Sequence, residues 1–318
     1  MSISRVKTSS ILQGFPKGRS LLTGNDAFIP NPVVTGGTLT SDATYYYRTF
    51  TASGTLDISV SSLTADIFMI GGGGASAYLD WTLSQPGAAG GAGAGGAVYG
   101  TEQLFTPSSY VIAVGAGGSN IGGQSGNDST FNSITAKGGG GNRTLQGNIK
   151  QTSPGGCGGG ASDQANPGNI SNQGSFSGYT SYGNRGGRPI SPNSYNGGKV
   201  AGGGGIGGFV DYGGGTGNTT EVRGGPGLNT WSSWATATST GVSGFYGGGG
   251  GGINGFAGYG AGGSGGGGAG NNPNGFSGTA NTGGGGGTAG SSGYGMSTYG
   301  GNGGSGLFII RYTKVQVD

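Results

Sequence analysis

The sequence predicts an all-β protein: a β-sandwich with an inserted glycine-rich layer, preceded by an extended N-terminal arm. Three observations lead there. Several short segments alternate apolar and polar residues or run almost continuously apolar, the marks of half-buried and doubly covered strands. Glycine makes up 87 of the 318 residues and is crowded into one internal stretch. No segment sustains a 3.6-residue hydrophobic period, so almost no helix is expected.

The arm is placed at residues 1–40 and the glycine-rich domain at 41–318. Thr44–Thr51 (TYYYRTFT) is aromatic and β-branched, and Thr55–Val60 (TLDISV) alternates Leu56, Ile58 and Val60 with polar neighbours. Ser53-Gly54 between them reads as a tight turn. Ala65–Ile70 (ADIFMI) is nearly all apolar and reads as a central strand. Further strands are expected at 97–105, at 109–114, at 129–136 and at 306–313 (GLFIIRYT). The last of these follows about 170 residues of glycine-rich chain. It is too apolar to stand alone in water and must pair back into the sheet begun before residue 71. The glycine segments 71–96, 115–128 and 138–304 are then insertions with both ends fixed by one sandwich.

Six of the 87 glycines precede Gly71 and one follows Gly304. Between those residues glycine reaches about one position in three, the level found in collagen. Collagen is excluded nonetheless, because the glycines come in blocks such as Gly247–Gly252 and Gly283–Gly287 without a Gly-X-Y period, and proline is only 11 residues. A disordered linker would be poor in aromatics, yet Phe176, Tyr179, Tyr182, Phe209, Phe256, Tyr259, Phe276, Tyr294 and Tyr299 interrupt the blocks. The reading adopted is a bundle of extended polyproline-II-like runs with three residues per turn. Such runs have no internal hydrogen bonds, so each donor must be met by a neighbouring run or by water.

Composition also limits the chemistry. Charged residues are 8% of the chain, against about 25% in an ordinary soluble domain. The absence of histidine excludes a Ser-His-Asp triad, a Cys-His pair and a His-containing zinc site. The single cysteine, Cys157, forms no intramolecular disulfide and sits in PGGCGG with no basic neighbour, so it reads as an inert thiol. Six carboxylates fall in residues 71–304 (Asp80, Glu102, Asp128, Asp163, Asp211 and Glu221), far apart in sequence and in no shared motif, which argues against glycoside hydrolysis. No cofactor is implied. The net charge of +3 is spread over scattered Lys and Arg, which does not suit nucleic acid, and no run of 18 apolar residues suits membrane insertion. The Asn-x-Ser/Thr matches at Asn127, Asn142, Asn169 and Asn218 are expected by chance in so Asn- and Ser-rich a chain.

Repeated junctions of an apolar strand with a glycine block carry a resemblance. They are IFMIGGGG (67–74), YVIAVGAGG (110–118), ITAKGGGG (134–141) and GNGGSGLFII (301–310). This series resembles the glycine-rich domain of many bacteriophage virion proteins. It is also similar in layout to the glycine-rich extracellular region of anaplastic lymphoma kinase, which implies a jelly-roll-like sandwich carrying polyglycine-II helices. The signalling role of that kinase is not implied, since no kinase segment, membrane span or disulfide cysteines occur here. The first thirty residues resemble a leader shared by assorted phage structural proteins. That resemblance implies an attachment arm, with Ile11, Leu12, Phe15, Leu21 and Leu22 as apolar anchors and Arg5, Lys7, Lys17 and Arg19 as charges facing other virion proteins. The competing reading is a segment packed on the protein's own sandwich.

The resemblance implies a non-enzymatic virion protein, a tail-fibre or adhesin-type subunit that displays its domain to a host surface glycan or protein. The alternative is a capsid decoration or head-fibre protein. By this analogy the receptor contacts are Tyr78, Trp81, Trp231, Trp234, Phe245 and Tyr246, each of which reads equally as a ring capping the bundle. A homotrimer is expected, because Tyr45-Tyr46-Tyr47 carries more aromatic surface than one sheet face buries.

Overall fold

The computed structural model describes residues 29–80, 90–145, 149–161, 168–188, 199–211, 222–254, 258–290 and 297–318. The chain divides into two units, Met1–Pro30 and Asn31–Asp318. Residues 1–28 lie outside the described residues, and with them every anchor and charge assigned to the arm.

In chain order the strands are β1 (Val33–Thr35), β2 (Thr38–Ser41), β3 (Tyr45–Phe50), β4 (Gly54–Ser59), β5 (Leu63–Ile70), β6 (Tyr78–Asp80), β7 (Ala97–Phe105), β8 (Ser108–Ala113), β9 (Ser129–Phe131) and β10 (Ile134–Ala136). There follow β11 (Asn142–Leu145), β12 (Ile149–Thr152), β13 (Thr180–Tyr182), β14 (Lys199–Val200), β15 (Ile253–Asn254), β16 (Ser297–Tyr299) and β17 (Leu307–Thr313), with one helix, α1 (Ser232–Thr238), before β15. Two antiparallel sheets dominate. One has the order β1-β4-β8-β9-β10, the other β13-β7-β5-β17-β3-β2.

The expected closure holds. β17 lies between β5 and β3, with Ile310 opposite Ile67 and Arg48, so the last strand completes the sheet begun before the glycine region. Two boundaries are corrected. β1 and β2 already belong to the two sheets, so the sandwich begins near residue 33 and not after residue 40. The segment 129–136 is a hairpin of two strands, with Asn132 at φ 52° in its turn. Thr51–Ser53 does not close a hairpin; it carries the chain from β3 in one sheet to β4 in the other.

Alternation along the central strands explains their apolar character. Leu63, Ala65, Ile67 and Met69 of β5 and Phe308, Ile310 and Tyr312 of β17 meet Leu56, Ile58, Ile112 and Phe131 of the facing sheet in one core. Phe68, Ile70, Leu307 and Ile309 point the other way, into a second core with Tyr47, Trp231, Trp234 and Tyr246. The six-stranded sheet is therefore covered on both faces, by the second sheet on one side and by α1 and glycine-rich chain on the other. The second core is a seam of rings: Phe68 stacks on Trp231 with centroids 4.1 Å apart, and Tyr99 and Tyr182 meet the same indole at 5.4 and 5.3 Å. Arg311 caps it, paired with Asp66 and lying over Tyr45 and Trp234 at 4.2 and 4.6 Å.

Glycine-rich runs form the second layer, and their hydrogen bonds repeat every third residue. Gly71 and Gly74 donate to Gly96 and Gly93, Gly72 and Ala75 to Asn127 and Gln124, Gly73 and Ser76 to Gly304 and Gly301. The next run behaves alike: Gly91 and Ala94 donate to Ala201 and Gly204, Ala92 and Gly95 to Gly286 and Gly283, Gly93 and Gly96 to Gly140 and Lys137. Each run thus feeds three neighbours, and the backbones lie too close for side chains. A Cβ built on Gly73, Gly93, Gly203 or Gly286 would fall within 3.0 Å of a backbone carbonyl oxygen of another run.

Bond register gives the layer two ends. Gly71 follows β5 and Gly306 precedes β17 at the sandwich, whereas Ser76 and Gly301 lie toward an apex where β6 pairs with β16. Val33 pairs with Ser59 next to the β4–β5 turn, so the chain enters the unit at the end of the sandwich remote from that apex.

Gly203→Ala, which drives a Cβ against the Ala92 carbonyl, is expected to cost about 2–3 kcal/mol in urea unfolding. Gly208→Ala, whose Cβ would meet only the Pro226 ring at 3.7 Å, is expected to change stability by less than about 0.5 kcal/mol.

Candidate functional site

Of the six residues expected at a receptor, the structure describes five and separates them. Trp231, Trp234 and Tyr246 are buried in the seam under the glycine layer, at 1%, 2% and 0% exposure, so a surface ligand does not reach them; their role there is corrected to packing. The physical reason is helical spacing. Trp231, Trp234, Ala235 and Thr238 stand at i, i+3, i+4 and i+7, which gives the short helix one face to press on β3, β5 and β7. Thr236 and Thr238 hydroxyls donate to the carbonyls four residues back, at 3.0 and 2.7 Å, and the Tyr246 hydroxyl closes on Thr240 at 2.6 Å. That spacing is the signal in the sequence that reading these rings as display residues overlooked. Phe245 is half-buried in the tight turn it closes with Val242. Tyr78 lies at the apex, in β6 opposite Tyr299, and Trp81 lies outside the described residues.

The tyrosine run also finds its partners within the chain. Tyr47 packs edge-on against Trp234, Tyr46 against Tyr312, and Tyr45 under Arg311. Alternation does send Tyr46 away from its neighbours, but both faces of this sheet are covered, so the run gives no packing reason for a second copy.

Three of the four exposed rings among the described residues lie at the apex, Phe209 being the exception. Tyr259, Phe276 and Tyr299 are 37%, 58% and 47% exposed, and Ile121 is 76% exposed. Hydrogen bonds tie the turns that carry them into one surface. The Asn120 carboxamide donates to the Gly300 carbonyl at 2.8 Å, the Tyr299 amide to Asn274 Oδ1 at 2.9 Å, and the Gly275 amide to the Tyr299 carbonyl. Gly290 donates to Asn271, and a Cβ on Gly290 would touch the Tyr259 ring. Next to Asn120, a pocket of about 280 Å³ is lined by Ile121, Gly122, Gly123, Gln124, Ser125 and Ser153. Gly122 takes φ +84°, a conformation glycine adopts without strain, and has open space where a Cβ would stand.

Three of the described carboxylates are paired within the scaffold. Asp66 pairs with Arg311, Asp128 with Lys137 at 2.8 Å, and Asp211 with Arg185, whose guanidinium also covers Phe209 at 3.6 Å. Burial raises the Asp211 carboxyl, but the Arg185 guanidinium and the Arg188 amide outweigh it and hold it below its ordinary value. Among the described residues no three His, Cys, Asp or Glu side chains stand together as a metal site. No helix of the described residues is long and apolar enough to cross a membrane.

The model of a family described as the glycine-rich domain matches residues 49–313, from β3 to the last residue of β17. The chain belongs to this glycine-rich domain family. The matched span takes in most of both sheets together with the glycine layer. No curated protein matches the chain.

Cys157 and Tyr47 are the groups that burial shifts furthest among the described residues. Cys157 is fully buried, and desolvation pushes its thiol up to about 12. Burial likewise pushes Tyr47 up to about 12, aided by its hydrogen bond to Asp42. A raised folded pKa holds its stabilisation below the unfolded pKa and loses it above. Unfolding free energy is therefore expected to fall between pH 9 and about 12, with a Cys157 share approaching 1.4 kcal/mol per pH unit. Urea titrations of the protein and of Cys157→Ala across that range measure the share, and a thiol reagent at pH 8 should label Cys157 only after unfolding.

Proposed function

We propose that this protein is a non-catalytic phage virion component, a tail-fibre or adhesin-type subunit that presents the glycine-rich apex to the host surface. The polarity of the Asn31–Asp318 unit carries this reading. The chain enters at Val33, at the end of the sandwich remote from the glycine layer, and the exposed rings Tyr259, Phe276 and Tyr299 lie at the far end of that layer. A display domain needs that arrangement: attachment behind, contact surface ahead, and a rigid spacer between. Residues 1–30 supply the attachment by their resemblance to a phage leader. The threefold repeat of hydrogen bonds supports reading the runs as polyglycine-II helices on a jelly-roll-like sandwich, a stiff spacer whose apical turns vary without disturbing the packed runs.

Electron microscopy of virions labelled with antibody to the apical turns tests the location. Density at the tail tip is expected; density on the capsomers would establish the decoration role instead.

Tyr45–Tyr47 are satisfied within one chain, so the trimer that the phage-fibre resemblance implies is assigned in this proposal to the residues before Asn31. A homotrimer is expected for the full chain and a monomer for a chain starting at Asn31. Light scattering at micromolar concentration reads both, and a monomer for the full chain would count against the trimer.

A further inference from the structure

The pocket beside Asn120 has a lining that selects for one kind of ligand. Its volume of about 280 Å³ lies just under the roughly 300–1,000 Å³ of pockets for drug-sized molecules, so it suits a single ring. Among the described residues that line it, none carries a charge. The described ion pair on the runs that continue from the pocket, Lys137 with Asp128, is engaged within itself at 2.8 Å. Its polar groups are neutral and both give and take hydrogen bonds: the carboxamide of Gln124 and the hydroxyls of Ser125 and Ser153. The Ser125 oxygen accepts the Gly141 amide at 3.2 Å and keeps its own proton to donate. The bare backbone at Gly122 lets a ligand approach closely, and the exposed Ile121 gives one apolar wall.

The turn that lines the pocket is also tied to the strand that carries an exposed ring. Asn120 holds Gly300, the residue after Tyr299, so the turn lining the pocket and the strand carrying that half-exposed ring are fastened together. Neutral donors and acceptors at a one-ring pocket, an apolar wall, and an aromatic face next in line match the alternating polar rim and apolar face of a sugar chain. We propose that the apex binds a neutral saccharide, with one sugar ring in the Ile121–Ser125/Ser153 pocket and the chain continuing toward Tyr299. This rests on the display reading above and names the chemistry that such an apex recognises.

The test uses the full-length protein and a panel of neutral tetrasaccharides built from glucose, mannose, galactose or N-acetylglucosamine, with a tetragalacturonate as the anionic comparison. Amide resonances are followed by NMR. At least one neutral member is expected to shift the amides of 121–125 and 153 and to saturate at millimolar concentration or below. The double variant Gln124→Ala/Ser153→Ala and the single variant Tyr299→Ala, each with an unchanged melting curve, should each weaken that binding about tenfold. No shift at those amides with any neutral member at about 10 mM overturns the proposal, as does preferential binding of the tetragalacturonate. Tail-tip density with no saccharide binding sinks this inference and leaves the display reading standing. Saccharide binding without virion density does the reverse.

Discussion

Backbone meets backbone throughout the glycine layer, and the rest of the structure follows from that close approach. Each run directs successive N–H groups at three different neighbours, so it must be surrounded, and the carbonyls it meets lie where a Cβ would stand. An ordinary core excludes water with side chains; here the main chains do it, with hydrogen bonds that would otherwise be left unpaired. The layer gains little apolar burial and loses much glycine entropy on ordering. Its order has to be imposed from outside, by strands that fix the ends of the runs.

The sandwich supplies that fixing. β5 passes directly into the run at Gly71 and β17 receives the run that ends at Gly306, so two central strands set the register of the layer. In return, the ring seam of Trp231, Trp234 and Tyr246 covers the face of the sheet that the second sheet leaves open. The two layers complete each other. Trp231, Trp234 and Tyr246 hold the layers together, while Tyr259, Phe276 and Tyr299 remain exposed at the apex.

Much of the sandwich was legible because strand burial writes itself locally. Period-2 alternation at 55–60 and the continuous apolar stretches at 65–70 and 306–313 fall on observed strands within a residue or two. β1 and β2 escaped notice because they are edge strands of three and four residues, with little buried on them. The candidate surface was hardly legible. Trp231 and Tyr299 are both aromatic residues between glycines, and what separates them is spacing in one case and position along a run in the other. The i, i+3, i+4, i+7 face at 231–238 is short enough to pass for another aromatic interruption.

The sequence alone determined that the protein is all-β, that its last strand returns to its first sheet, and that the glycine blocks are ordered insertions closed by one sandwich. Those conclusions need only local hydrophobicity and the impossibility of leaving an apolar strand in water. The tertiary structure alone decided which run neighbours which and which aromatics face solvent. Glycine has no side chain with which to encode a partner, so the pairing of runs is set by where the strands hold their ends, and the exposure of each ring follows from that pairing.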